Sequence, residues 1–203
     1  MLQLALPLHA LAPGQSSRIV LGNANADAAG ALDDTASWPF RTAVLVGPPR
    51  SGKSLLGKWF DAHGKGAVID GADSLDETEV FHRWNRAQQD GEPILLISNS
   101  DPWAITLPDL RSRVGGSMHL TIGVPDDAMV ADLLSAHAEA RHLPASDALC
   151  NYLLPRIERS FANIERVVSE IDRISLERKV PATMSVWRDA LDAVQGPDQA
   201  RLF

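Results

Sequence analysis

The sequence predicts an α/β fold, a parallel sheet built around a phosphate-binding loop, followed by an all-α region. Three observations carry this reading. Residues 47–54, GPPRSGKS, follow the apolar run Val44-Leu45-Val46 and open a helical pattern, the strand–loop–helix context that a P-loop requires. Two further apolar runs, Ala67-Val68-Ile69 and Ile94 to Ile97, each end in polar residues, as buried parallel strands do where they meet a ligand crevice. Beyond Pro125 the apolar positions recur at helical spacing, interrupted only by turn signals.

Composition excludes several classes. The chain has 203 residues, a formal net charge of −7 and a single cysteine, Cys150. Its length suits one globular unit or two small ones. Its acidic balance, with a pI near 5.3, lacks the basic footprint of a stand-alone DNA binder. One cysteine permits no internal disulfide, and the histidines have no metal-ligand spacing. A cytoplasmic, reducing setting is the expectation. No apolar run approaches the ~20 residues of a membrane span. The start, MLQLALPLHALAPG, is apolar, but its first cationic residue is Arg18, and a secretion signal needs a positive n-region.

The P-loop pattern G-x-x-x-x-G-K-S/T is met at every fixed position. Gly47 and Gly52 let the loop wrap closely, with Pro48, Arg50 and Ser51 between them and Leu55 opening the helix. Backbone N–H groups then point at phosphate oxygens, and the helix adds its N-terminal dipole. Lys53 is expected to reach the β- and γ-phosphates and Ser54 to hold Mg²⁺. Asp70 closes the next strand, as a metal-orienting acid should. ADP or ATP with Mg²⁺ is therefore the expected cofactor. Gly71 stands where many hydrolysing relatives carry a second acid. Asp73, past a turn, is a partial substitute at best.

Between Lys53 and Asp70 there is room for one helix and a turn, not for another strand and helix. Glu77 to Gln89 carries Val80, Phe81, Trp84 and Ala87 at helix spacing, and Gly91 ends it. Asn99, after the strand Ile94 to Ile97, is a candidate γ-phosphate sensor. An ordinary strand-end turn is the alternative.

These residues resemble the AAA+ replication initiator DnaA and, more closely, its short Hda-type relatives. The stretch IVLGNANADAAGAL resembles the initiator linker G-x-x-N-x-x-A at Gly22, Asn25 and Ala28. The resemblance implies that this linker, with Val20 and Leu21, packs on the adenine. FHRWN at 81–85 resembles a segment that follows the metal-orienting acid in the family. LPDLRSRVGG at 107–116 resembles the box whose core is L-x-S-R, which makes Arg113 the matching arginine finger.

Helices are expected over Asp126–Ala140, Ser146–Ile157, Phe161–Glu177 and Thr183–Ala193, with His142-Leu143-Pro144 and Val180-Pro181 as breaks. The resemblance makes them a lid. Its usual sensor arginine falls at Ala162 here. Arg159 is the candidate substitute, and a solvated charge at the helix start is the alternative. The whole is then a reduced AAA+ P-loop NTPase core over 18–124, missing an edge strand, with a helical lid over 125–203. The chain ends without the initiator's helix-turn-helix domain, which argues against sequence-specific DNA binding.

Residues 1–17 complete the expectation. QLALPL fits the clamp-binding hexapeptide Q-L-x-L-x-L of the Hda type, with Gln3, Leu4, Leu6 and Leu8 as contacts. Pro7 disfavours helix and suits an extended peptide in a groove, and APGQSS is a tether. A first strand packed on the domain is the alternative. The tail, through Gln199, Leu202 and Phe203, is a second and weaker candidate of the same kind. The resemblance thus implies a negative regulator of replication initiation. It would dock on the sliding clamp and use Arg113 to stimulate hydrolysis of DnaA-bound ATP, with homo-oligomer formation also open. A self-sufficient small P-loop ATPase or kinase is the competing reading. Trp38, Trp59, Trp84 and Trp187 suit core packing, Trp103 an exposed loop, and Cys150 a buried helix position.

Overall fold

The computed structural model describes residues 18–144 and 146–196. The expected clamp-contact residues Gln3, Leu4, Leu6, Leu8, Gln199, Leu202 and Phe203 lie outside this set. The chain divides into two compact units, Ala24–Gly123 and the residues on either side of it.

The Ala24–Gly123 unit is built on four parallel strands, β1 (Thr42–Val46), β2 (Ala67–Ile69), β3 (Ile94–Ile97) and β4 (Met118–Thr121), in the order β2-β3-β1-β4. The register pairs Val44 with Leu96 on one side and His119 on the other. Central strands β1 and β3 are buried along their whole length, as expected of a parallel sheet covered on both faces. Strand β2, which leads to Asp70, forms one edge. The helix after the P-loop therefore feeds straight into an edge strand, and the core stays intact with four strands. Three strands coincide with the apolar runs in the sequence. The fourth, β4, has the pattern MHLT with only Leu120 buried. Edge exposure erases the apolar run that would have announced it.

Helices α1 (Ala26–Asp33), α2 (Lys53–Ala62), α3 (Glu77–Asp90) and α4 (Pro108–Gly115) complete this unit. Gly57 lets α2 lie close on the sheet, since a Cβ there would stand 2.6 Å from Ile97 Cδ1 and 3.2 Å from Val68 Cγ1. Asp76 caps α3 by accepting from the N–H groups of Thr78 and Glu79, and Gly91 closes it in the left-handed conformation. Val80, Trp84 and Ala87 of α3 join Leu110 and Val114 of α4 against Val44, Val46, Ile69 and Leu96.

The second unit is helical: α5 (Asp127–Glu139), α6 (Asp147–Leu153), α7 (Phe161–Arg178) and α8 (Met184–Gln195). Side chains of Asp126, Ser146 and Ser160 cap the first three by accepting from backbone N–H groups. Helix α6 stops four residues short of the expected Ile157, because Pro155 has no N–H to continue the ladder. Val167, Val168 and Ile171 of α7 and Ala190 and Leu191 of α8 are buried in its core. Gly22 sits where a Cβ would strike the Met129 side chain at 2.8 Å, and the Asn23 side chain bonds both Val124 O and Asp126 N–H.

Trp38, Trp59, Trp84 and Trp187 are all buried. Trp103 and Cys150 depart from expectation. Trp103 is half-buried against the α3–α4 core rather than exposed. Cys150 is half-buried, not buried, with its Sγ 3.8 Å from both Ser135 Oγ and Ala131 O. Among the described residues no helix is long and apolar enough to cross a membrane.

Candidate functional site

The loop after β1 has the build of a phosphate cradle. At Gly47 an added Cβ would lie 2.8 Å from Ile122 Cβ and 3.2 Å from Ile122 O, so only glycine fits. Arg50 adopts φ 63°, and Gly52 (φ 87°) is left-handed as it opens α2. The first N–H groups of α2, which follow this turn, have no partner within the helix. Ser51 is 5% exposed, and its buried hydroxyl finds no hydrogen-bond partner among the described residues.

Lys53 is also 5% exposed. Its ammonium donates to Gly47 O at 2.7 Å and to Pro48 O at 3.0 Å. Burial lowers its pKa from the ordinary lysine value, while the carboxylates of Asp70 and Asp73 act in the opposite sense. Both acids are therefore within electrostatic reach of the loop lysine. Ser54 and Asp70, the expected metal ligands, are both exposed at the carboxyl ends of the strands. Among the described residues no cluster of three or more His, Cys, Asp or Glu could hold a metal ion by itself. Two oxygen donors suit Mg²⁺ that completes its shell with phosphate oxygens and water. Cradle, lysine and acid together fit a nucleoside di- or triphosphate with Mg²⁺.

Asp73 has a different task from the missing second acid. Its Oδ1 accepts from the Asn99 N–H at 3.1 Å and its Oδ2 from the Ser100 hydroxyl at 2.7 Å. Burial works against its ionisation, but these donors outweigh it and hold the carboxyl below the usual range. A carboxylate so engaged is a poor proton acceptor. What it does is clamp the end of β3, where Asn99 stands exposed. Since β3 lies between β1 and β2, Asn99 follows the strand that separates the P-loop strand from the Asp70 strand. The hydrogen bond of its backbone was not legible in the sequence, since Asp73 and Asn99 are far apart along the chain.

Arg113 lies elsewhere. It is exposed on α4, with its guanidinium carbon 5.1 Å from the centre of the Trp84 ring. The indole N–H of Trp84 donates to Thr42 Oγ1 at 2.9 Å, and Thr42 is the first residue of β1. The P-loop leaves the other end of that strand, four residue steps or about 13 Å away. Arg113 therefore belongs to the amino end of the sheet and the phosphate cradle to the carboxyl end. Glu77 sets the start of α4: its carboxylate accepts from both N–H and hydroxyl of Thr106 and from Leu107 N–H. These bonds hold the Glu77 pKa below the ordinary range. Arg111 is spent on the carbonyls of Ile105 and Thr106. Sequence reading did not single out Glu77, although an acid in the first turn of α3 was its only local signal.

The remaining candidates are placed as follows. Asn25 is buried at the start of α1, and Ala28 is buried within it. Val20 and Leu21 are half-buried in the helical unit. Arg159 forms an ion pair with Asp127 at 2.7 Å within that unit, both side chains more than half exposed.

No model of a known protein family matches the chain. Over 117 residues it is 28% identical to the chromosomal replication initiator protein DnaA of Roseiflexus castenholzii, a match covering 57% of this chain and 24% of that protein. The match thus spans about a quarter of the relative's length. Domain III of the DnaA replication initiation protein from Thermotoga maritima superposes with a TM-score of 0.71 at 16% identity, over 88% of this chain and 95% of that one. The AMPPCP-bound DnaA of Aquifex aeolicus gives 0.58 at 17% identity, over 79% and 65%. At such identities the structures establish the fold, an AAA+ P-loop NTPase core, and the sequence match adds a distant relation to DnaA.

Proposed function

We propose that the chain is an Hda-like regulator of replication initiation that holds ADP or ATP with Mg²⁺ in its own P-loop and activates hydrolysis in a partner. The partner is ATP-bound DnaA, reached while the chain is docked on the sliding clamp through residues 1–8. The observation that carries this reading is the position of Arg113: exposed, and at the end of the sheet remote from its own cradle. A cation there is poorly placed to serve its own nucleotide and well placed to enter another subunit's site. When bound there, a guanidinium stabilises negative charge developing on the transferring phosphoryl group, an effect worth about 10³–10⁵ in rate.

Each group of the chain has a task in this reading. Gly47, Gly52 and the α2 N-terminus hold the phosphates, Lys53 compensates their charge, and Ser54 and Asp70 hold the metal. Asp73 fixes Asn99. Trp84 keeps the Arg113 guanidinium flat and oriented, and Glu77 fixes the helix that carries it.

A self-sufficient P-loop ATPase is the second reading, favoured by the complete loop. Gly71 and the full engagement of Asp73 weigh against it, since neither leaves a free carboxylate to orient water. The experiment is ATP hydrolysis by the cognate DnaA with clamp loaded on DNA, with and without this protein. Stimulation that is lost on Arg113→Ala and reduced on deletion of residues 1–8 is expected. No stimulation by the wild-type chain would refute the role, and rapid turnover by the chain alone would favour the ATPase.

A further inference from the structure

Beside Arg113 the amino end of the sheet carries a feature that neither the phosphate cradle nor the finger explains. Phe40 is 55% exposed, and both Phe40 and Arg41 are left-handed, at φ 50° and 48°. Two successive non-glycine residues in that region are unusual, and a bulky aromatic there is more so. The conformation is held in place. Phe40 O accepts from Gln88 Nε2 at 2.8 Å and from Thr42 Oγ1 at 2.8 Å. Arg41 N–H donates to Trp38 O at 3.0 Å, and its guanidinium donates to Gly91 O.

The ring lies against the end of α4. A Cβ on Gly116 would stand 3.1 Å from Phe40 Cε2, and Gly116 N–H donates to the carbonyls of Ser112 and Arg113. Thr42 links the two features, receiving the Trp84 indole and donating to Phe40 O. An exposed ring fixed by its backbone and an exposed guanidinium stacked on Trp84 thus share one support. Arg41 and Arg113 are both exposed, and no ion pair among the described residues involves either.

We propose that Phe40 is the apolar anchor, and Arg41 a second cation, of the surface that docks the nucleotide face of an ATP-loaded AAA+ subunit. This rests on the reading of Arg113 as a finger used in trans. A partner bringing a polyphosphate to Arg113 must cover the adjoining ring. The charges fit that occupant: two exposed guanidinium groups, neither in an ion pair among the described residues, meet a polyanion. The rigid ring costs little conformational entropy to bury. Backbone strain at an exposed aromatic is typical of functional positions.

The test titrates full-length protein against ATP-loaded cognate DnaA, with clamp on DNA, and reads the hydrolysis rate. Phe40→Asn keeps a residue that tolerates the left-handed region while removing the ring. It should raise the half-saturating concentration about tenfold and leave the plateau rate unchanged. Arg113→Ala should instead lower the plateau. Phe40→Leu, apolar again, should recover most of the affinity. Nucleotide binding by the variant's own P-loop should match wild type and reports its folding. Should Phe40→Asn misfold, Gly116→Ala, which presses on the ring, is expected to raise the half-saturating concentration in its place. Phe40→Asn behaving as wild type would overturn the anchor and leave the Arg113 reading standing. Absence of stimulation by wild type would overturn both.

Discussion

The two ends of one parallel sheet treat charge in opposite ways. At the carboxyl end Lys53 is buried on loop carbonyls with two acids in electrostatic reach, and Asp73 is fully bonded. At the amino end Arg113 and Arg41 stand exposed beside an exposed phenylalanine. On the proposed reading, one end holds a charged ligand and the other is presented to a partner, which would account for a complete P-loop in a chain whose second acid is glycine.

The largest effect that can break the comparison is at Arg113. Arg113→Ala should lower stimulated hydrolysis by about 10³ or more while leaving the chain's own nucleotide affinity unchanged by calorimetry. A loss of nucleotide affinity would mean that the two ends are one site. Next in size, Lys53→Ala should weaken ADP or ATP binding by about a hundredfold, since it removes a buried, hydrogen-bonded charge that the proposed function sets against the ligand's phosphates. Unchanged affinity in a titration would remove the cradle from the argument. The Phe40→Asn titration follows, at about tenfold.

A packing change sharpens the distinction further. Gly57→Val crowds Ile97 and Val68 and should cost about 1–3 kcal/mol, seen as a lower urea midpoint. The smallest effect concerns pH. Asp73 has a folded pKa below its unfolded value, so its contribution is present above about pH 4 and is lost as pH falls through the folded value. Asp73→Asn should therefore unfold more readily than wild type at pH 7, with the gap closing on acidification below that range. A gap that widened in acid would show that the bonds to Asn99 and Ser100 favour the neutral carboxyl.

Much of the fold was legible because local chemistry and burial agreed. Val44 to Val46, Ala67 to Ile69 and Ile94 to Ile97 are apolar runs that became strands, and Gly91 ended α3 as expected. Strand β4 was missed because, in MHLT, Leu120 alone is buried and no apolar run marks it. The overlong reading of α6 came from following apolar spacing past Pro155. Cys150, beside Leu149 on α6, was read as buried because spacing assigns a face and not the depth of cover.

By itself the sequence singled out the candidate phosphate loop, the acid that follows it and the arginine of the L-x-S-R box. Each is a pattern of near neighbours whose chemistry requires that order. Only the tertiary structure decided that β2 is an edge and that Asp73 serves Asn99. It also placed Arg113 at the far end of the sheet beside Phe40. Strand order and the pairing of residues distant along the chain come from packing several elements together, and no local spacing encodes them.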